Sequence, residues 1–199
     1  MHIQVLVVAF HGDLWLRACI ATFRESVEPN TRIIIADNHG NTITSSLVDE
    51  NNIAIVSLPG PLGFAEANNQ ALVKSSFDTQ FICFLNQDTK SPSGWLTQGA
   101  KFLDQHPDIG ALTPLISTYD GEGWDPNFVD CTRPLVSFWE ELAQEKRESA
   151  FYEVPVIPAP AMVVRTDILK AVGGFDPIYG SYYEDYDLCH RIRQAGYRV

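Results

Sequence analysis

Short, mostly apolar runs alternate with longer mixed segments along the first half of the chain, and this alternation constrains the fold more than any other feature. Continuous apolar runs of strand length are typical of parallel strands that are buried on both faces. Because strands and helices alternate, we predict an α/β fold with a mostly parallel central sheet flanked by helices. The predicted strands lie at residues 3–10, 32–36, 53–58, 79–85 and 109–113.

The predicted helices are separated by segments rich in glycine and proline. Residues 119–134 carry two glycines and two prolines and predict a long loop. Residues 154–164 carry three prolines, which favours an irregular segment or an edge strand. The predicted helices lie at residues 13–23, 42–50, 65–74, 92–106 and 137–148, the fourth with Pro92 at its first position.

The chain has 199 residues, which is enough for one domain with a sizeable core.

The charge of the chain excludes one class of partner. Its 14 basic and 25 acidic residues give a formal net charge of −11. Nucleic-acid binding needs a basic face, so we expect no nucleic-acid partner. A phosphate-bearing ligand would have to be held locally, by a metal ion, helix N-termini or a few cations.

The four cysteines show no C-x-x-C spacing, and two of them lie inside apolar patterns. We interpret all four as reduced thiols, which favours a cytoplasmic location. The sequence starts directly with a strand, without a basic leader, and no apolar run reaches the length of a membrane span. We therefore expect a cytoplasmic protein without a membrane segment in this chain. The alternative is that the protein is located at the inner face of the membrane.

Three carboxylates stand within four positions near the end of the chain. Glu184, Asp185 and Asp187 follow the turn at residues 173–176 and open an apolar-periodic segment. A helix N-terminus stabilises ionised carboxylates, whereas clustered like charges raise one another's pKa. Two interpretations stay open, a capped helix start and a reactive site. Asp187 is four residues before Arg191, a spacing that favours a structural ion pair.

A second acidic site directly follows the strand predicted at residues 79–85. In open α/β sheets, ligands bind beyond the carboxyl ends of the strands. Asn86 and Asp88 stand at alternate positions there, which would point both oxygens the same way if the strand continued. Such oxygen ligands suit Mg²⁺ or Mn²⁺. The alternative is a turn with an Asx cap.

Five stretches together resemble the inverting glycosyltransferases of family 2, which have the GT-A fold and include rhamnosyltransferases. The resemblance implies a single GT-A domain over residues 1–199 that would continue past its last residue. Residues 1–115 would form the nucleotide-sugar-binding half, and residues 116–199 the acceptor-side and catalytic half. The five stretches are VLVVAF at 5–10, IIIADN at 33–38, LGFAEANN at 62–69, FLNQDT at 84–89 and the segment 173–199.

The resemblance also implies roles for individual residues. Asp185 corresponds to the catalytic base, with Glu184 as the second choice, and Asp88 corresponds to the metal ligand. Asn86 departs from the family's D-x-D pattern, which would loosen the metal. Tyr183 is a candidate for stacking on a sugar, although aromatic side chains more often pack. The implied nucleotide-binding residues are Ala9, Phe10, Asp37, Asn38, Gly63, Phe64, Asn68, Asn69 and Asn86.

The implied activity is metal-dependent transfer of a sugar, with inversion, from a nucleotide-diphosphate sugar to an acceptor hydroxyl. The donor would be UDP- or dTDP-linked and the acceptor a glycan or a lipid-linked molecule, in polysaccharide or cell-surface glycan synthesis. The first alternative is a catalytically silent nucleotide-sugar-binding domain of the same fold. A dinucleotide oxidoreductase is disfavoured because no G-x-G-x-x-G follows the first strand. A nucleotidyltransferase would need a basic, glycine-rich early loop, which residues 10–13 do not provide.

Overall fold

The computed structural model describes residues 2–25, 31–39, 52–75, 78–133 and 151–199. The helices predicted at 42–50 and 137–148 lie outside these ranges. The described residues contain a six-stranded sheet with the order β3-β2-β1-β4-β6-β5. The strands are β1 (Ile3–Phe10), β2 (Arg32–His39), β3 (Ile53–Ser57), β4 (Phe81–Leu85), β5 (Ala111–Leu112) and β6 (Ala161–Arg165).

Four neighbouring strands of this sheet are parallel, as the apolar runs predict. β1 pairs in parallel with both β2 and β4, and β2 pairs in parallel with β3. β6 is antiparallel to β4 and to β5. The carboxyl ends of β2, β1 and β4 therefore lie side by side at one edge of the sheet. This edge is where an open α/β sheet binds its ligand.

Helices cover both faces of the sheet. Because side chains alternate along a strand, Val5 and Val7 pack in one apolar layer with α1 and α3, whereas Leu6 packs in the other with α2, α5 and α6. The sheet is thus buried on both sides, as its continuous apolar strands require. The helices are α1 (Asp13–Arg24), α2 (Phe64–Ser75), α3 (Trp95–Gln105), α4 (Pro126–Cys131), α5 (Thr166–Val172) and α6 (Glu184–Gln194).

The predicted loop at residues 119–134 contains the short helix α4, so this prediction is wrong in part. Asp125 caps the helix, because its side chain accepts a hydrogen bond from the Phe128 N–H at 2.9 Å. Pro126 follows at the first helical position. An N-cap followed by proline is a helix-start signal. The glycines before it hide that signal when composition alone is considered.

The start of α3 and the position of β6 in the sheet also differ from the predictions. α3 begins at Trp95, not at Pro92, and Gly94 precedes it with a φ of 81°. β6 is an interior strand between β4 and β5, not an edge strand. The three prolines that suggested an edge all lie before Ala161, in the irregular segment that leads into the strand. They therefore remove no hydrogen bond from the ladder.

The cysteine prediction is confirmed, because all four thiols are free and buried. Among the described residues, no helix is both long and apolar enough to cross a membrane.

Candidate active site

The carboxyl end of β1 is held by a side chain from the turn after β4. The Phe10 N–H donates to Gln87 Oε1 at 3.0 Å, and Gln87 Nε2 donates to the Phe10 carbonyl at 2.8 Å. Both backbone groups of Phe10 therefore have a partner within the chain, and the expected contact of Phe10 with a nucleotide stays a prediction. Ala9, the other residue of β1 expected to contact the nucleotide, has a buried side chain. Sequence reasoning missed Gln87, since nothing local marks a partner 77 residues away.

An aromatic cluster also stands at this edge and was not anticipated. The ring of Phe10 is exposed and lies 4.4 Å, centroid to centroid, from His11. His11 in turn lies 5.1 Å from His39, which ends β2. The Phe10 ring, unlike its backbone, is therefore available to a ligand.

Asp37 and Asn38 lie near the end of β2 but have different surroundings. Asn38 is buried, and its side chain both donates to the Leu62 carbonyl at 2.9 Å and accepts from the Leu62 N–H at 3.0 Å. Its amide thus ties the loop before α2 to the end of β2. Asp37 is half-buried at the same edge, and its expected contact with a nucleotide stays a prediction.

Gly63 makes a close backbone approach, but to another part of the chain. A Cβ at this position would lie 2.8 Å from the Gly180 carbonyl oxygen. The next residues continue the contact, because the Phe64 N–H donates to Ser181 Oγ at 3.1 Å and the Ala65 N–H to the Gly180 carbonyl at 2.9 Å. The glycine and Phe64 therefore dock the start of α2 onto the turn before α6. Contact of either residue with a nucleotide stays a prediction.

The two asparagines of α2 are already used by the protein. Asn68 donates to the Phe64 carbonyl, one turn back, at 2.9 Å. Asn69 accepts from the Phe175 N–H at 3.0 Å and donates to the Phe175 carbonyl at 2.7 Å. Gly174 has a φ of 74°, and a Cβ there would lie 2.7 Å from Asn69 Oδ1. Asn69 and this glycine turn therefore tie α2 to the segment that follows α5.

The residues after β4 form a turn, so the argument from strand alternation is wrong. β4 ends at Leu85, and Thr89 closes the turn by donating to the Asn86 carbonyl from its N–H at 3.3 Å and from its hydroxyl at 2.8 Å. The turn leaves Asp88 exposed and Asn86 half-buried. It thus presents Asp88 at the edge of the sheet next to the end of β1.

The donor set here fits a metal that takes few protein ligands. The Asp88 carboxylate is exposed and accepts no hydrogen bond from the described residues. Within the described ranges, no group of three or more His, Cys, Asp or Glu side chains gathers around one point. The described residues therefore contain no metal site in which protein side chains supply every ligand. Mg²⁺ and Mn²⁺ do not require such a site, because they can be bound by one or two carboxylates together with waters and substrate phosphates.

Asp185, in the first turn of α6, is 6% exposed. Its carboxylate accepts from the Tyr186 N–H at 2.9 Å and from the Ala159 N–H at 3.3 Å, and Asn127 also bonds it. Burial raises the pKa of Asp185, and the N–H donors oppose that rise because they stabilise the ionised form. These contacts fix the carboxylate and leave its charged state accessible.

Asp185 lies close to the turn that carries Asp88. The carbonyl of Pro160, the residue after Ala159, accepts from the Asn86 N–H at 2.9 Å. Two consecutive residues therefore bridge Asp185 to the end of β4. The structure brings together the two acidic sites that the sequence places about half the chain apart.

Glu184 has equally little exposure, but one of its two carboxyl oxygens has no partner among the described residues. It is 6% exposed, and its Oε2 is fully buried without a hydrogen bond within the described part of the chain. Burial, with a smaller effect from Asp185, raises the pKa of Glu184 from an ordinary 4.5 to about 7. The predicted rise in pKa between neighbouring acids is confirmed in direction for Glu184, although burial is the larger cause.

The third carboxylate belongs to the scaffold, as the i to i+4 spacing predicts. Asp187 Oδ2 accepts from Arg191 Nε at 2.8 Å and from Arg191 Nη2 at 2.5 Å. The same guanidinium donates to the Val172 carbonyl at 2.6 Å, which ties α6 to the end of α5.

The sequence is similar to known glycosyltransferases. The profile of Glycosyl transferase family 2 matches residues 4–173. The pre-mycofactocin glycosyltransferase of Mycobacterium tuberculosis is 31% identical over 150 residues, which cover 74% of this chain and 30% of that protein. The N-acetylglucosaminyl-diphospho-decaprenol L-rhamnosyltransferase of the same species is 23% identical over 219 residues, which cover 98% of this chain and 71% of that protein.

The fold is similar to that of solved glycosyltransferases. The mannosyltransferase PcManGT from Pyrobaculum calidifontis, solved in complex with GDP-Man and Mn²⁺, superposes with a TM-score of 0.72 at 19% identity. The superposition covers 98% of this chain and 53% of that one, so the chain spans about half of its length. The predicted GT-A fold is confirmed. Since the family profile spans most of the sequence, the chain belongs to glycosyl transferase family 2.

Proposed function

We propose that this chain binds a nucleotide-diphosphate sugar at the carboxyl edge of the sheet and transfers the sugar, with inversion, to an acceptor hydroxyl. The observation that carries the proposal is the placement of Asp185, a buried carboxylate anchored by two backbone N–H groups and bridged to the turn that presents Asp88. A carboxylate held beside this turn could act as the general base of the transfer.

The donor site would extend across the end of β1. Asp37 lies near the end of β2, Asp88 follows β4, and β1 lies between these two strands. Neighbouring strands are about 4.8 Å apart, so the two ends are separated by about 10 Å. That separation suits a nucleoside diphosphate with its base at Asp37 and its diphosphate at Asp88. The exposed Phe10 ring lies between them, where it could contact the base or the ribose.

A divalent metal would be held by Asp88, with Asn86 as the second candidate ligand. When bound, it would stabilise the charge that develops on the departing diphosphate. The formal net charge of −11 supports a local cation of this kind, because the chain as a whole repels a diphosphate. The mannosyltransferase that shares the fold was solved with Mn²⁺.

Asp185 would take the proton from the acceptor hydroxyl as that oxygen attacks the anomeric carbon. An inverting transfer needs this one base, and the diphosphate leaves without an enzyme acid. The N–H groups of Ala159 and Tyr186 hold the carboxylate in one orientation, which is the condition for efficient proton transfer. The rhamnosyltransferase relative suggests a rhamnosyl donor and a lipid-linked acceptor. The family resemblance of the motifs adds the expectation that the donor nucleotide is UDP or dTDP.

Nucleotide binding is expected to depend on metal through Asp88. UDP or dTDP titrated by calorimetry should bind at least about tenfold more tightly with Mn²⁺ than with EDTA, and Asp88→Ala should remove this difference. Asp78→Ala is the matched control, because Asp78 is also exposed but precedes β4 and so lies at the opposite edge of the sheet. Equal affinity in Mn²⁺ and EDTA for the unmodified chain would rule out the metal assignment.

The base site is expected to prefer pyrimidines. The Asp37 carboxylate can accept from the ring N–H of uracil or thymine. A base without a matching donor leaves a polar group unpaired, at a cost of about 1–3 kcal/mol. UDP and dTDP should therefore bind more tightly than ADP, and Asp37→Ala should reduce the preference. Competition binding measures this directly, and equal affinities for all the nucleotides would contradict it.

A further inference from the structure

We propose that Gln87 is a positioning residue, which bridges the crevice between β1 and β4 and thereby couples the base end of the donor site to its metal end. The inference rests on the proposed function and deepens it, because Gln87 itself would touch neither the base nor the metal. Its effect would pass through Phe10, at the end of β1, and through Asp88, in the turn after β4.

The crevice lies where the order of the strands reverses. The chain passes from β1 to β2 and β3 on one side of β1, and β4 then lies on the other side. Ligands of open α/β sheets bind at such a switch point, beyond the carboxyl ends of the strands. The ladder between β1 and β4 ends at the pair Leu6 and Phe84, although β1 continues to Phe10. Beyond that pair, the ladder no longer fixes the distance between the two strands.

The side chain of Gln87 spans this gap. Its Oε1 accepts from the Phe10 N–H at 3.0 Å and its Nε2 donates to the Phe10 carbonyl at 2.8 Å, so it supplies the two hydrogen bonds that a neighbouring strand would otherwise make. A primary amide can fill both roles because it carries a donor and an acceptor. We call these two hydrogen bonds the Gln87 bridge. Since Asp88 is the next residue, the bridge fixes its turn relative to the end of β1.

Gly12 leaves the space that the Gln87 bridge needs. A Cβ at residue 12 would lie 2.5 Å from Gln87 Nε2 and 2.8 Å from Gln87 Oε1. The φ of Gly12 is −127°, outside the left-handed region, so the contact with Gln87 and not the backbone conformation accounts for a glycine here. A methyl group at this position would displace the amide without changing the chemistry of residue 87.

A nucleoside diphosphate would contact both ends of the site. Its base is expected at Asp37, on a strand that pairs with β1, and its diphosphate at Asp88. When one ligand binds two groups, its affinity depends on how well their separation is fixed in advance. A ligand that reaches only one of the two groups gains nothing from a fixed separation. Loss of the Gln87 bridge should therefore weaken a nucleoside diphosphate selectively.

The turn itself does not depend on the Gln87 bridge. Cys19 Sγ, on α1, donates to the Asn86 carbonyl at 3.4 Å, and the Asn86 N–H donates to the Pro160 carbonyl at 2.9 Å. Thr89 closes the turn by its own hydrogen bonds to Asn86. A variant that lacks the bridge should therefore keep a folded turn, so that Asp88 stays in place as a ligand.

The variants remove or displace the amide while the fold is preserved. Gln87→Met keeps the length of the side chain but neither hydrogen bond. Both bonds are exposed, so water can replace them on Phe10 at little cost in stability. Gly12→Ala keeps Gln87 but displaces its amide. Gln80→Met is the matched control, because Gln80 donates one exposed hydrogen bond, to Asp104, at the opposite end of β4.

UDP, uridine and pyrophosphate are each titrated with Mg²⁺, a diamagnetic ion, and followed in the amide NMR spectrum. Gln87→Met should weaken UDP about tenfold, within the usual range of a coupling between two sites, and should leave the affinities for uridine and pyrophosphate unchanged. Gly12→Ala should have the same effects. The double variant should bind UDP no more weakly than either single variant, since both act on the same bridge. Gln80→Met should bind all three ligands as the unmodified chain does.

Three results would overturn the inference. The first is unchanged UDP affinity in Gln87→Met, and the second is unchanged UDP affinity in Gly12→Ala. The third is an equal loss of affinity for UDP, uridine and pyrophosphate, which a general loosening of the site would produce. Absence of UDP binding in the unmodified chain would refute the donor site and this inference with it. UDP binding that survives Gln87→Met would refute this inference alone.

Discussion

Asp185→Asn is expected to lower sugar transfer by roughly 10²–10⁴-fold while leaving nucleotide affinity unchanged. The amide keeps the shape of the carboxyl group but cannot take a proton from the acceptor. The donor is expected at Asp37 and Asp88, so its contacts are not altered. One of the two backbone N–H groups that Asp185 binds would lose its acceptor, which costs about 1–3 kcal/mol of stability.

The assay follows release of nucleoside diphosphate together with the appearance of the transferred sugar. The match covers 30% of the pre-mycofactocin glycosyltransferase. The assay should therefore be run both on this chain and on a longer form of the protein. Asp187→Asn is the matched control, since Asp187 lies in the same helical turn but pairs with Arg191. Full activity in Asp185→Asn would refute the catalytic role. Nucleotide binding without any transfer by the unmodified protein, in both lengths, would favour the silent binding domain.

Glu184→Gln is expected to stabilise the fold at pH 8 and to have little effect near pH 4. The folded protein keeps the Glu184 proton up to about pH 7, whereas the unfolded chain releases it near 4.5. Between these values the folded state binds more protons, so the free energy of unfolding falls as the pH rises. The fall approaches a limit of about 3 kcal/mol above pH 7. Glutamine is neutral at every pH, so the Glu184→Gln variant does not undergo this fall in the free energy of unfolding.

Urea unfolding of both proteins at several pH values between 4 and 8 measures this difference. Glu122→Gln is the control, because Glu122 is exposed and the same substitution there should leave the pH dependence unchanged. A stability difference between Glu184→Gln and the unmodified chain that is the same at every pH would contradict the buried, protonated state of Glu184.

The parallel half of the sheet could be predicted because its signal is local. β4, most of β1 and residues 33–36 of β2 are apolar runs, and their burial on both faces follows from composition alone. The interior position of β6 could not be predicted in this way. It depends on pairing with β4 and β5, and the prolines that precede it gave a misleading local signal. α4 was missed for a related reason, since its Asp-Pro start stands beside glycines.

The acidic sites could be located from motifs, but the partners of the other motif residues could not. Asn38, Gly63 and Asn69 all contact distant parts of the chain, at Leu62, Gly180 and Phe175. No periodicity or spacing encodes such contacts. The same holds for Ala159, whose N–H binds Asp185 and whose neighbour Pro160 reaches Asn86. These residues position the site, and only the three-dimensional structure identifies them.

The most direct test is paramagnetic broadening by Mn²⁺ in the amide NMR spectrum of the chain, recorded with UDP or dTDP. If the donor and metal lie at the carboxyl edge of the sheet, Mn²⁺ should broaden the resonances around Asp88, Phe10, Asp37 and Asp185. The same titration of Asp88→Ala should broaden none of them selectively. Selective broadening at another part of the molecule, or the same pattern in Asp88→Ala, would contradict a metal-bound donor facing Asp185.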